Sequence, residues 1–186
     1  MSPSPYFTIP FLLIVAILQS TAAPRLAVYG ARPDLMLVSV IVWTLLAAFR
    51  MRELQYTGEP PSLWRGINDG VVWGFTGGMF LDLLSGAPVG LSALALMLAA
   101  LMVGIFAVGV ASSTPILVIV AAPLGTLTYH LVFLIGLALT GRPAFWSVNL
   151  SRVILPSIAL NLALIPVVYL LLSPLNRQTE RERLQW

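Results

Sequence analysis

Residues Trp64 to Gly90 read W-R-G-I-N-D-G-V-V-W-G-F-T-G-G-M-F-L-D-L-L-S-G-A-P-V-G. On a helix, Gly66, Gly70, Gly74, Gly78, Asp82 and Gly86 follow one another at steps of four and form one slowly winding ridge. Glycine weakens a water-exposed helix by roughly 1 kcal/mol per residue relative to alanine, so this density argues against an ordinary soluble helix. In a bilayer the same row lets another backbone approach closely, as in small-xxx-small packing. Two occupants of that groove stay open: a helix of the same chain, or the helix of a partner. Asp82 closes the ridge with a carboxylate. Translocon scales place a lone Asp at mid-membrane about 2.5 to 3.5 kcal/mol uphill, which calls for a polar partner or nearby water.

The rest of the chain places that ridge in a membrane. Of 186 residues, 59% are hydrophobic and only 9% are charged, and several apolar runs approach the roughly 20 residues needed to cross a hydrocarbon core. An all-α polytopic membrane protein with a single domain over residues 1–186 is expected. Cysteine is absent and His130 is the single histidine, so disulfides, thiolate chemistry and a histidine-based metal cluster have no residues to draw on. All ten basic residues are arginine. A net charge of +3 on such a chain reports orientation rather than affinity for nucleic acid.

Six transmembrane spans are expected, at about 7–23, 33–49, 66–84, 89–110, 115–139 and 148–172, with a charged tail over 173–186. The first run lacks a basic region ahead of Phe7, so it reads as a retained span rather than a cleaved signal. The second is short for a full crossing. Arg50 to Arg65 reads as a charged loop around Gly-Glu-Pro-Pro, and Ser85 to Pro88 as a tight turn. Pro123 predicts a kink in the fifth span. With both termini cytoplasmic, Arg50, Arg52, Arg65, Arg177, Arg181 and Arg183 lie inside and Arg25, Arg32, Arg142 and Arg152 outside, an excess of the sign that orients membrane proteins.

That orientation gathers Arg32, Asp34, Asp82 and Arg152 toward the outer face. Asp82 lies four residues before Gly86, on the order of 6 Å below the helix end, where an arginine of a neighbouring span, Arg32 or Arg152, is expected to pair with it. His130 and Asn161 are expected to hydrogen-bond between helices, and His130 is also a candidate for titration. Trp64, Trp146 and Trp186 fall where interfacial belts form, whereas Trp73 requires packing to explain it.

Two segments resemble a known family. R-P-D-L-M-L-V at Arg32 to Val38, followed after a charged loop by G-F-T-G-G-M-F-L-D-L-L-S-G-A-P-V-G at Gly74 to Gly90, is similar to MreD, the bacterial rod shape-determining membrane protein family. Arg32, Pro33, Asp34, Leu35, Gly74, Gly78, Asp82, Leu83, Ser85, Gly86 and Gly90 carry the resemblance, with a weaker echo in Asn161, Pro166 and the tail from Arg177. It covers about residues 31 to 100. The resemblance implies a six-helix fold like that of the substrate-binding subunits of energy-coupling-factor transporters, and a non-enzymatic scaffold in the inner membrane. Its implied partner is the bitopic protein MreC, and through it MreB filaments, the RodA glycosyltransferase and its transpeptidase. No cofactor is implied. Membrane lipid is a further expected partner, and self-association into a dimer is left open.

Under either occupant of the groove, Gly70, Gly74, Gly78, Asp82 and Gly86 are the candidate contact residues. The alternative reading is a solute-binding subunit of a vitamin-type transporter, with a pocket lined by Asp82, Arg32 and Arg152. The short connection between the third and fourth spans fits a ligand-capturing lid poorly. An enzyme is not expected, because Ser85, Ser112, Ser113 and Ser151 have no acid and base at a spacing that establishes a catalytic arrangement.

Overall fold

A computed structural model describes residues 5–27, 32–56, 63–109, 114–142 and 150–183. Trp146, Trp186, Ser112 and Ser113 lie outside the described residues, as do the side chains of Trp64 and of the arginines at 50, 52, 65, 177, 181 and 183. The described chain is all-helical. Six long helices follow in order: α1 Pro5–Thr21, α2 Leu35–Tyr56, α3 Leu63–Leu84, α4 Leu91–Gly109, α5 Thr114–Leu139 and α6 Leu155–Arg183. A 3-10 turn, Ala23–Leu26, follows α1, and a π-helical turn, Leu150–Ile154, leads into α6. Three stretches, Leu91–Gly109, Leu117–Leu139 and Arg152–Pro174, are long and apolar enough to cross a bilayer, and Phe7–Thr21 and Leu35–Phe49 are shorter apolar helices.

The helix ends differ from the sequence expectation where charge misleads. α2 continues to Tyr56, well into the segment that reads as a charged loop, and α6 continues through the charged tail to Arg183. Arg, Glu and Gln are good helix formers, so leaving an apolar environment does not end a helix made of them. α5 runs unbroken through Pro123.

The short apolar stretch turns out to be the hub. Every residue from Met36 to Ala48 is buried, and α2 packs against α1, α3, α4, α5 and α6. A helix surrounded by protein on all sides shows no apolar stripe, only continuous apolarity. Trp43 lies inside this hub and stacks on Trp73 of α3, with ring centroids 4.1 Å apart and planes 3° from parallel. Phe11 of α1 extends the stack at 5.6 Å from Trp73. Large apolar side chains on the outside, such as Ile14 of α1, Phe75 of α3 and Leu170 of α6, are half exposed or more.

The most extensive helix pair is α3 with α4. α4 presents a small-residue face, Ala93, Ala95, Ala99, Ala100, Val103, Gly104 and Ala107, all buried. A Cβ on Gly74 would stand 2.8 Å from the carbonyl oxygen of Leu96, and one on Gly78 would overlap the backbone at Ala93. Main chain meets main chain at both positions, so only glycine fits without separating the helices. The occupant of the ridge is therefore a helix of the same chain.

Candidate functional site

The ridge residues divide by position. Gly70 faces the Thr44 side chain of α2, Gly74 and Gly78 face α4, and Gly86 has nothing within 4 Å of a Cβ built on it. Gly77, outside the row of fours, faces Met36 of α2. The groove that the sequence offers to a partner is filled from within, so Gly70, Gly74 and Gly78 are packing residues.

Asp82 sits at the end of this contact, buried to 2% exposure. Its Oδ2 accepts the backbone amides of Gly90 at 2.8 Å and Ala93 at 3.3 Å, and its Oδ1 accepts that of Ser92 at 3.0 Å. The Ser92 and Ala93 amides belong to the first turn of α4 and have no carbonyl partner within their own helix, and Gly90 immediately precedes it. The carboxylate caps that helix from α3 and sits against the positive end of its dipole. Gly90 has φ +90°, a conformation L side chains rarely adopt, and this turns the chain so that its amide points back at Asp82. Among the described residues no arginine lies within ion-pair distance of Asp82, and Arg32 and Arg152 are exposed. The anticipated Asp82–arginine pair is replaced by amide capping, because three short hydrogen bonds satisfy the carboxylate without a second buried charge. A pocket lined by Asp82, Arg32 and Arg152 is not assembled. Arg142, beyond the end of α5, donates from Nη1 to the carbonyl of Gly86 at 2.9 Å and places the α3–α4 turn and the end of α5 at the same end of the bundle.

A second polar site joins four helices where α1 ends and α2 begins. Gln19 of α1 donates from Nε2 to Asp34 Oδ1 and to the Pro33 carbonyl, each at 3.3 Å, and its Oε1 accepts the Leu35 amide at 2.7 Å. Asn161 of α6 accepts the Asp34 amide at 3.0 Å and donates to Thr126 Oγ1 of α5 at 3.2 Å. His130 of α5 places Nδ1 2.9 Å from the Thr126 carbonyl and Nε2 3.6 Å from Asp34 Oδ2. Two side-chain amides thus cap the start of α2 from neighbouring helices.

Asp34, His130 and Asn161, which the sequence presents as separate polar residues on three spans, belong to one network. Arg32 does not join it. Gln19 and Thr126 are the members that sequence reasoning passed over. Gln19 carried a signal, as the side-chain amide at the end of an apolar run, whereas Thr126 had none, since threonine in a span commonly bonds its own helix. Asp34, Gln19, Thr126, His130 and Asn161 provide hydrogen-bonding and acid–base groups. Among the described residues no cluster of three or more His, Cys, Asp and Glu that would hold a metal is present. No family model, curated protein or solved structure matches this chain.

Proposed function

We propose that the chain is a six-span, non-catalytic scaffold of the bacterial inner membrane with cytoplasmic termini. In this reading it works as an MreD-like protein, binding an MreC-like bitopic partner and connecting cytoskeletal filaments to the peptidoglycan glycosyltransferase and transpeptidase of cell elongation. One observation carries most of the weight. The two segments that resemble the family, Arg32–Val38 and Gly74–Gly90, pack on one another, with Met36 of the first seated over Gly77 of the second. The two acidic members of the resemblance also help hold the helices together: Asp82 caps α4, and Asp34 binds Asn161 through its backbone. Residues spent on internal rigidity suit a scaffold better than a solute site, whose polar groups wait for a ligand.

With the glycine ridge filled, a partner helix meets the outer apolar faces of the bundle. The test is a detergent pull-down of the tagged full chain from its own host's membranes, with cell shape scored on depletion. Co-recovery of a bitopic protein and a polytopic glycosyltransferase, with rods rounding on depletion, is the expected result. Recovery of an ATPase module or of a tightly held small molecule, with shape unchanged, would replace this reading with transport.

A further inference from the structure

The surroundings of the single histidine determine where its protons sit. His130 Nδ1 lies 2.9 Å from a backbone carbonyl oxygen, that of Thr126. A carbonyl only accepts, so Nδ1 carries a hydrogen. Nε2, the other ring nitrogen, lies 3.6 Å from Asp34 Oδ2. The neighbouring amides are committed as well. Gln19 Oε1 takes the Leu35 amide, so its Nε2 must be the group that donates to Asp34 Oδ1. Asn161 Oδ1 takes the Asp34 amide, so its Nδ2 must be the group that donates to Thr126 Oγ1. Turning either amide over would set acceptor against acceptor and donor against donor. None of these donors serves Asp34 Oδ2, which is buried and has no hydrogen-bond partner among the described residues.

With Asp34 ionised and His130 neutral, the lone pair of Nε2 would therefore face a lone pair of Oδ2. A buried acceptor left in that condition costs on the order of 1 to 3 kcal/mol. One added proton resolves the conflict on either atom, giving imidazolium with carboxylate or neutral imidazole with carboxylic acid, and at 3.6 Å the charged form is within ion-pair distance. We propose that Asp34 and His130 together form a binding site for one proton, whose occupancy fastens the start of α2 to α5.

The charged and titratable groups around the pair do not supply that hydrogen. α1 contributes Gln19 and α6 contributes Asn161, both neutral, while Arg152 on the turn into α6 is exposed. From α5, Tyr129 sets its ring edge-on to that of His130, with centroids 5.2 Å apart. Asp82 of α3 is taken up by the α4 amides, and Arg32, two residues before Asp34, is exposed. The two side chains are not sealed, with 17% of Asp34 and 14% of His130 exposed, although Asp34 Oδ2 itself is buried. Loss of the proton removes the α2–α5 link at the point where Gln19 and Asn161 also hold α2, so one protonation event bears on four helices. The site stands apart from the scaffold reading and does not depend on it.

Because the chain has one histidine, the test is unambiguous: the full chain in lipid nanodiscs, labelled with 15N-histidine and 13C-aspartate, followed by NMR from about pH 5 to about pH 9. The expected result is an Nδ1 that stays protonated throughout, with Nε2 and the Asp34 carboxyl carbon changing in one transition of common midpoint, as groups sharing one proton do. In Asp34→Asn, Gln19 holds the new side-chain oxygen and the new amide donates permanently to Nε2, so the imidazole transition disappears from the range. In His130→Gln, hydrogen exchange at the first turn of α2 loses a pH-dependent step of about tenfold, the size of one charge-assisted hydrogen bond. A neutral ring protonated on Nε2 in the wild-type chain would overturn the proposal, as would a His130 transition whose midpoint none of the three aspartate carboxyl carbons shares. Either is read from the wild-type spectra even if a variant fails to fold.

Discussion

Asp82 and Ser92 are joined across the turn between α3 and α4, the carboxylate Oδ1 accepting the serine amide at 3.0 Å. The last full turn of one helix thereby supplies the cap of the next. The turn between them can be short because the cap needs no residue of its own.

Replacing Asp82 with alanine leaves three amides of Gly90, Ser92 and Ala93 without their acceptor. Unfolding in detergent or SDS is expected to show a loss of about 1 to 3 kcal/mol, the range for buried donors left unpaired. Asp82→Asn, which keeps one acceptor, is expected to lose less. Arg32→Ala and Arg152→Ala are expected to leave the midpoint where it is, and an Arg152→Ala variant as unstable as Asp82→Ala would contradict amide capping.

Gly78 within α3 and Gly86 just beyond its end are predicted to behave oppositely. A methyl at Gly78 meets the Ala93 backbone, which cannot give way as a side chain would, so Gly78→Ala is expected to cost about 1 to 3 kcal/mol or more. Gly86→Ala adds a methyl where nothing lies within 4 Å and is expected to stay within about 0.5 kcal/mol of wild type. Equal effects in a thermal-shift comparison would show that the ridge is not packed as described.

Asn161 serves Asp34 with its oxygen and Thr126 with its nitrogen. Asn161→Leu removes both bonds and leaves the Asp34 amide unpaired, for an expected loss of about 1 to 2 kcal/mol, at the upper end of what interhelical hydrogen bonds contribute in membranes. Thr126→Val removes one of the two and is expected to lose about half as much. If the two variants lose the same amount, the Asp34 amide does not depend on Asn161.

The Trp43–Trp73 stack is fully buried, and neither indole N–H has a partner among the described residues. Trp73→Ala removes a large, well-packed ring from between three helices and is expected to cost about 3 to 5 kcal/mol. Trp73→Phe removes the unpaired donor along with part of the ring, so the two changes offset and the loss is expected to stay below about 2 kcal/mol. Urea or SDS titrations of both variants measure the difference directly.

Much of the fold was legible because it is written locally. The end of α3 at Leu84, the start of α5 beside Thr114 and the tight turn after Ser85 follow from glycine, proline and the limits of apolar runs. The far ends of α2 and α6 were not legible, since hydropathy marks where a chain leaves an apolar environment and not where its helix stops. The hub role of α2 was hidden for a related reason. Its stretch Met36 to Ala48 reads as a span that is merely short, and only its neighbours show that it is buried on every side by the other five helices.

For the sites, the sequence by itself determined which residues were out of place: a carboxylate at the end of a glycine ridge, a lone histidine, an asparagine in an apolar run. Those are properties of composition and spacing, and each proved to lie at a polar contact. Only the tertiary structure decided what each one meets. Asp82 meets amides where an arginine was expected, Gly78 meets Ala93 of the same chain, and Asp34, His130 and Asn161 meet one another across helices separated by up to 127 positions in sequence. The cost of a buried polar group announces that a partner exists, but the partner is chosen by which helices become neighbours, and that choice depends on the packing of the entire bundle.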